Sequence, residues 1–117
     1  MKYLILCCFN EQQWESIPEP EREKVMQKYG AWIQRIENSS QHLASAQLRP
    51  SGKANTIRYK NGKPLVTDGP FAETKEQLGG YHLVECASLD EAVSIAANIP
   101  TLPVGGTVEV REVISTA

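Results

Sequence analysis

Between Thr67 and Tyr81 the chain sets ionisable side chains among residues that constrain the backbone: Asp68-Gly69-Pro70-Phe71, then Glu73, Lys75 and Glu76, then Gly79-Gly80-Tyr81, with His82 next. Asp68 can accept from backbone donors a few residues on and so cap a turn. Held in a cleft, its carboxyl would be pushed up by desolvation and could act as a ligand acceptor or general base. His82 offers a neutral imidazole that could shuttle a proton or orient Asp68. Gly69 precedes Pro70, which turns it away from the helical region. Gly79-Gly80 leave room for a bulge or for the close approach of another backbone. Plainer roles stand beside these: a turn cap for Asp68, a satisfied sheet histidine for His82, and Phe71 as the loop's anchor in the core. Glu73, Lys75 and Glu76 read as a solvated turn, although Glu73 and Lys75 could form an ion pair across a subunit boundary.

Other residues bear on the same chemistry. Arg58 and Tyr59 alternate on a strand, so one faces the packed side, and an inward Arg58 would need a carboxylate such as Asp68. Tyr29, Trp32 and Tyr81 fit a helix-to-sheet core, or the aromatic wall of a cavity for a planar apolar ligand. His82 and Cys86 lie four strand residues apart, roughly 13 Å, too far to share a metal ion. No other cluster has metal-ligand spacing, and glycine-rich phosphate loops and nucleophile elbows are absent. No cofactor or metal is therefore expected.

The elements that must position these residues follow from periodicity. Lys2 to Phe9 is apolar at successive positions, as in a strand covered on both faces. Asn10 to Pro20 is a polar connection. Val25, Tyr29, Trp32, Ile33 and Ile36 recur at helical spacing and predict an amphipathic helix over Glu21 to Asn38. Strands follow at His42 to Arg49 and Ala54 to Tyr59. Asn61-Gly62 supplies the positive φ pair of a type I′ turn that leads into Leu65-Val66-Thr67. Ala72 to Gln77 is read as one helical turn, and Tyr81 to Ala87 as a strand. Ser88-x-x-Glu91 opens a helix whose apolar stripe is Leu89, Ala92, Val93, Ala96 and Ile99. Thr107 to Ile114 closes the chain as a strand.

The resulting order, β-α-β-β-β-β-α-β, is a ferredoxin-like α+β plan: an antiparallel sheet, two helices on one face, and an inserted hairpin. Two helices leave one face of the sheet bare, yet the first strand is apolar on both faces. The economical solution is a homodimer with two sheets packed face to face.

Composition bounds what such a domain does. At 117 residues with 41% hydrophobic side chains, the chain can bury one core, and residues 1–117 read as a single domain. A net charge of −2 with scattered Lys and Arg offers no footprint for a phosphate backbone, so nucleic acid is not an expected partner. The apolar run from Tyr3 to Phe9 is too short for a membrane span and lacks a cleavage site, and a cytoplasmic location is expected. Three cysteines, two of them adjacent, favour buried reduced thiols over a disulfide framework.

Val66-Thr67-Asp68-Gly69-Pro70-Phe71-Ala72-Glu73-Thr74-Lys75-Glu76 followed by Leu78-Gly79-Gly80-Tyr81 resembles the signature of the DGPF branch of the YCII-related family. Met1-Lys2-Tyr3-Leu4, Tyr29-Gly30, Leu89-Asp90-Glu91-Ala92, Ile99-Pro100 and Val108-Glu109-Val110-Arg111 extend the likeness along the chain. The resemblance implies a dimeric α+β barrel and a setting beside sigma factors of the extracytoplasmic-function class. For the broader YCII-related group the resemblance implies enzymes built on a His and Asp pair, but Tyr29 stands here where such a histidine would be sought, so the pair does not carry over residue by residue. The leading expectation is a homodimeric small-molecule-binding or regulatory module, with a cleft between subunits near Asp68, Pro70, Phe71 and His82. The alternatives are a cofactor-independent enzyme with Asp68 as base, assisted by His82 or Tyr29, and a purely structural partner of a transcription regulator.

Overall fold

The computed structural model describes residues 1–70 and 75–114. Its main sheet has the order β2-β5-β1-β6, built from β1 (Lys2–Phe9), β2 (His42–Gln47), β5 (Gln77–Glu85) and β6 (Thr107–Glu112), every neighbour antiparallel. This is the ferredoxin-like arrangement expected from the element order. The strands β3 (Asn55–Lys60) and β4 (Lys63–Asp68) form a separate two-stranded ribbon. Its turn is the one expected, with Asn61 at φ 55° and Gly62 at φ 77°.

Three helices accompany the sheet: α1 (Glu11–Ser16), α2 (Glu19–Glu37) and α3 (Leu89–Ala96). The first falls within the polar stretch Asn10 to Pro20, whose composition predicts a connection. It forms because the Asn10 side chain accepts from Gln13 N–H at its start, and it ends before Pro18. The long helix begins two residues earlier than the spacing indicated, since Pro20 is tolerated in a first turn that needs no donor. In α3, Ser88 Oγ accepts from Glu91 N–H, while the Glu91 carboxylate reaches Ala87 N–H. The expected stripe of α3 is corrected at two positions. Leu89 and Val93 are exposed, and Ala92, Ala96 and Ile99 face inward with Ile95 beside them.

The core lies between helices and sheet. Tyr3, Ile5 and Cys7 point one way from β1 and pack with Trp32 and Ile36 of α2 and Ala92 and Ala96 of α3. Leu4 and Leu6 point the other way, beside Leu83 and Tyr81 of β5, and are only half-buried. A thickness of 19 Å matches one sheet and one helical layer, so among the described residues nothing of this chain forms a second layer over this face.

The strand β5 starts at Gln77, four residues before the expected Tyr81, because Gly79 is taken up as a bulge: Gly80 pairs with Cys7 and Leu78 with Cys8. A Cβ on Gly80 would stand 2.9 Å from the Ala46 carbonyl oxygen, so glycine is what lets β2 approach here. Of the segment read as a helical turn, residues 72–74 lie outside the described residues and Gln77 belongs to the strand.

Candidate functional site

Tyr29 projects from the middle of α2 toward the sheet, and His82, in the middle of β5, projects toward the helices. The Tyr29 hydroxyl lies 2.6 Å from His82 Nε2 and 3.4 Å from Cys7 Sγ. Trp32 meets the imidazole edge to face at 4.8 Å. His82 is 3% exposed, and its Nδ1 is buried without a hydrogen-bond partner among the described residues. The Cys7–Tyr29–His82 chain can be polarised in either direction. With the tyrosine hydroxyl donating to Nε2, Nδ1 carries a proton to offer; with Nε2–H donating to the tyrosine oxygen, Nδ1 offers a lone pair.

Burial, and secondarily the nearby His42, pull His82 down to about 4, so the ring is neutral near pH 7. Burial pushes the Tyr29 phenol and the Cys7 thiol upward, so both stay protonated. The polar chain therefore carries no net charge.

These three side chains line a cavity of about 380 Å³ between the helices and the sheet. Its apolar wall includes Phe9, Trp14, Met26 and Ile33, and Gln13, Ser45, Gln47 and Thr101 supply polar atoms. One side is α1, which buries no residue of its own. Trp14 packs edge-on against Phe9, Gln13 lies over Gly105, and Glu11 accepts from Ser51 N–H at 2.9 Å and from the Ser51 hydroxyl. Glu11 N–H donates to Gln77 Oε1 at 3.0 Å. The helix is thus tied down at its edges rather than by a packed face.

The residues singled out in sequence are divided among three places. Tyr29 and His82 meet in the cavity. Tyr81 neighbours His82 on the strand and points to the opposite, open face. Asp68, Gly69, Pro70 and Arg58 lie on or beside the ribbon. Asp68 is exposed and accepts from Asn55 Nδ2 at 3.3 Å; in this chain the partner of His82 is Tyr29, not Asp68. Gly69 takes φ 93°, its N–H donating to Ala54 O at 2.6 Å and its carbonyl accepting from Thr56 Oγ1 at 2.7 Å. Arg58 is exposed and opposite Leu65, on the ribbon face away from Asn55 and Asp68, so the inward orientation that would have called for a carboxylate is not the one it takes. Phe71 and Glu73 lie outside the described residues. Among the described residues no group of three His, Cys, Asp or Glu side chains converges to hold a metal ion, and Cys7, Cys8 and Cys86 are free thiols.

Sequence reasoning missed the contributions of Gln13, Trp14 and Cys7. The signal for the first two was Asn10 three residues before Gln13, a helix-start spacing inside a stretch read as loop. Nothing local in the sequence pairs Cys7 with Tyr29.

Comparison with known proteins bears on the fold and the family. A solved structure of similar fold is the 5-chloro-2-hydroxyhydroquinone dehydrochlorinase TftG from Burkholderia phenoliruptrix AC1100, in complex with 2,5-dihydroxybenzoquinone. It superposes with a TM-score of 0.58 at 14% identity, over 99% of this chain and 96% of that one. A protein of Rhizobium meliloti (strain 1021), the uncharacterized protein R00369, is 39% identical over 112 residues, covering 95% of this chain and 90% of its own length. The model of the YCII-related domain matches residues 1–117. The α+β fold, the sequence relative and the match along the whole chain agree, and the chain belongs to the YCII-related domain family.

Proposed function

We propose that this protein binds a small planar molecule in the cavity beside His82 and Tyr29, and does so as a homodimer. The observation that carries the reading is that His82, whose buried Nδ1 has no hydrogen-bond partner among the described residues, helps line a cavity large enough for a ring compound. An orphaned polar atom costs roughly 1–3 kcal/mol in a folded protein, and a ligand hydrogen bond offsets that cost. The site differs from the one expected in sequence: it lies within one chain, between helices and sheet. The dimer rests on the open face, where the half-buried Leu4, Leu6, Tyr81 and Leu83 gain cover from a second copy. A sigma-factor partner rests on the family resemblance alone; in that setting ligand occupancy would be the regulatory signal.

A second reading is a cofactor-independent enzyme, favoured by the neutral state of His82 and by the dehydrochlorinase activity of the structural neighbour. In it His82, rather than the exposed Asp68, exchanges a proton with a ring hydroxyl of the ligand.

Gly30 provides the test. It lines the cavity, and a Cβ there would meet nothing within 4 Å, so Gly30→Phe blocks the space while replacing a helix-interior glycine. Hydroquinone should shift the indole N–H signals of Trp14 and Trp32 in the wild type and not in a folded Gly30→Phe protein. A ring compound that binds both proteins equally would place the site elsewhere.

A further inference from the structure

We propose that the cavity beside His82 selects uncharged ring compounds bearing hydroxyl, oxo or amide groups and rejects their carboxylate- or phosphate-bearing analogues. The proposal rests on the binding role assigned to this cavity in the preceding section and specifies what it binds.

The first ground is the absence of a counter-charge. The chain has twelve lysines and arginines, and none lines the cavity. Residues 71–74 and 115–117 contain no lysine, arginine or histidine, so no cation is left elsewhere in the chain to supply one. Among the described residues the charged side chain in the lining is Glu37, at the exposed C-terminal end of α2, and its carboxylate disfavours an anion at the edge.

The second ground is the character of the polar atoms that remain. Asn10, Gln13 and Gln47 present amides, and Ser45 and Thr101 hydroxyls. Each can both donate and accept without bearing charge. An anion taken from water into such a lining would lose its hydration with no ion pair in return, whereas a hydroxyl or amide would exchange one neutral partner for another. His82 does not change this balance. Its ring is packed between Tyr29 and Trp32 and buried, and placing a proton on it to meet a carboxylate works against that burial. His42, the other histidine, is held to Ser45 Oγ at 3.1 Å and is absent from the lining.

Benzamide and benzoate share a ring and nearly a shape and differ in charge, which makes them suitable probes. Full-length wild-type protein is titrated with each near neutral pH, with the Trp14 and Trp32 indole N–H signals as readout. The expected result is saturable shifts with benzamide and at least about tenfold weaker binding of benzoate. Met26 lines the cavity and is partly exposed, so Met26→Lys adds an ammonium without opening the core; it should bring benzoate to parity with benzamide or better. Benzoate binding to the wild type as tightly as benzamide, with the same signals moving, would overturn the charge preference and leave the binding role standing. If neither probe nor hydroquinone moves these signals, the binding role fails and the preference falls with it.

Discussion

The Tyr29 hydroxyl stands 2.6 Å from His82 Nε2, joining the centre of the longest helix to the centre of the sheet across 53 positions of sequence. Tyr29→Phe removes this bond and leaves both nitrogens of a buried imidazole without a partner among the described residues. The expected loss is about 1–3 kcal/mol, read from the urea midpoint at unchanged slope. Tyr29→Phe combined with His82→Leu should cost less than the two single changes added, because the orphaned ring is gone.

The depressed His82 gives the stability a pH dependence of definite sign. Its ordinary value is 6.5 and its folded value about 4, so between these limits the unfolded chain binds the proton more readily. The contribution is complete above 6.5 and is lost as pH falls toward 4, by up to about 3 kcal/mol at roughly 1.4 kcal/mol per unit. Urea unfolding at stepped pH measures it, and His82→Gln should flatten that part of the profile.

Adjacent glycines in β5 should respond differently to alanine. At Gly80 the new methyl would meet the Ala46 carbonyl oxygen, which is fixed in the neighbouring strand, and a cost of roughly 1–3 kcal/mol is expected. At Gly79 it would meet the Phe9 ring, which can turn aside. Gly79→Ala should therefore fold nearly as well as wild type and weaken ligand binding, since Phe9 is cavity wall. Thermal melts together with hydroquinone titration separate the two outcomes.

The proposed dimer depends on the open sheet face. Leu6→Lys puts a charge beside Tyr81 at its centre and leaves the helix-facing core untouched. Light scattering coupled to size exclusion should find a dimer for wild type and a monomer for the variant. A wild-type monomer would refute the proposed assembly.

Much of this architecture could be read from residues. The two-faced apolar pattern of Lys2 to Phe9, the Asn61-Gly62 turn and the Ser88-x-x-Glu91 helix start each encode local geometry, and each element formed where it was expected. The paired glycines signalled a bulge and a close strand, and Gly79 and Gly80 divide those roles. The site was less legible, because its chemistry comes from residues distant in sequence. Tyr29 and His82 each stand out by residue type, but their pairing depends on which face of β5 turns to the helices, and the bulge at Gly79 belongs to that register. Asp68 is conspicuous in sequence for the turn residues around it, whereas His82 sits in an ordinary strand.

The small helix α1 has no buried side chain and is held through its cap, one aromatic edge and the hooks from Glu11. Releasing those few contacts exposes little apolar surface, so this wall can open at a cost far below that of global unfolding. Traffic into the cavity then need not wait for the core to loosen. Amide exchange at Trp14 and Ile17 should report that local opening, and a bound ligand should slow it.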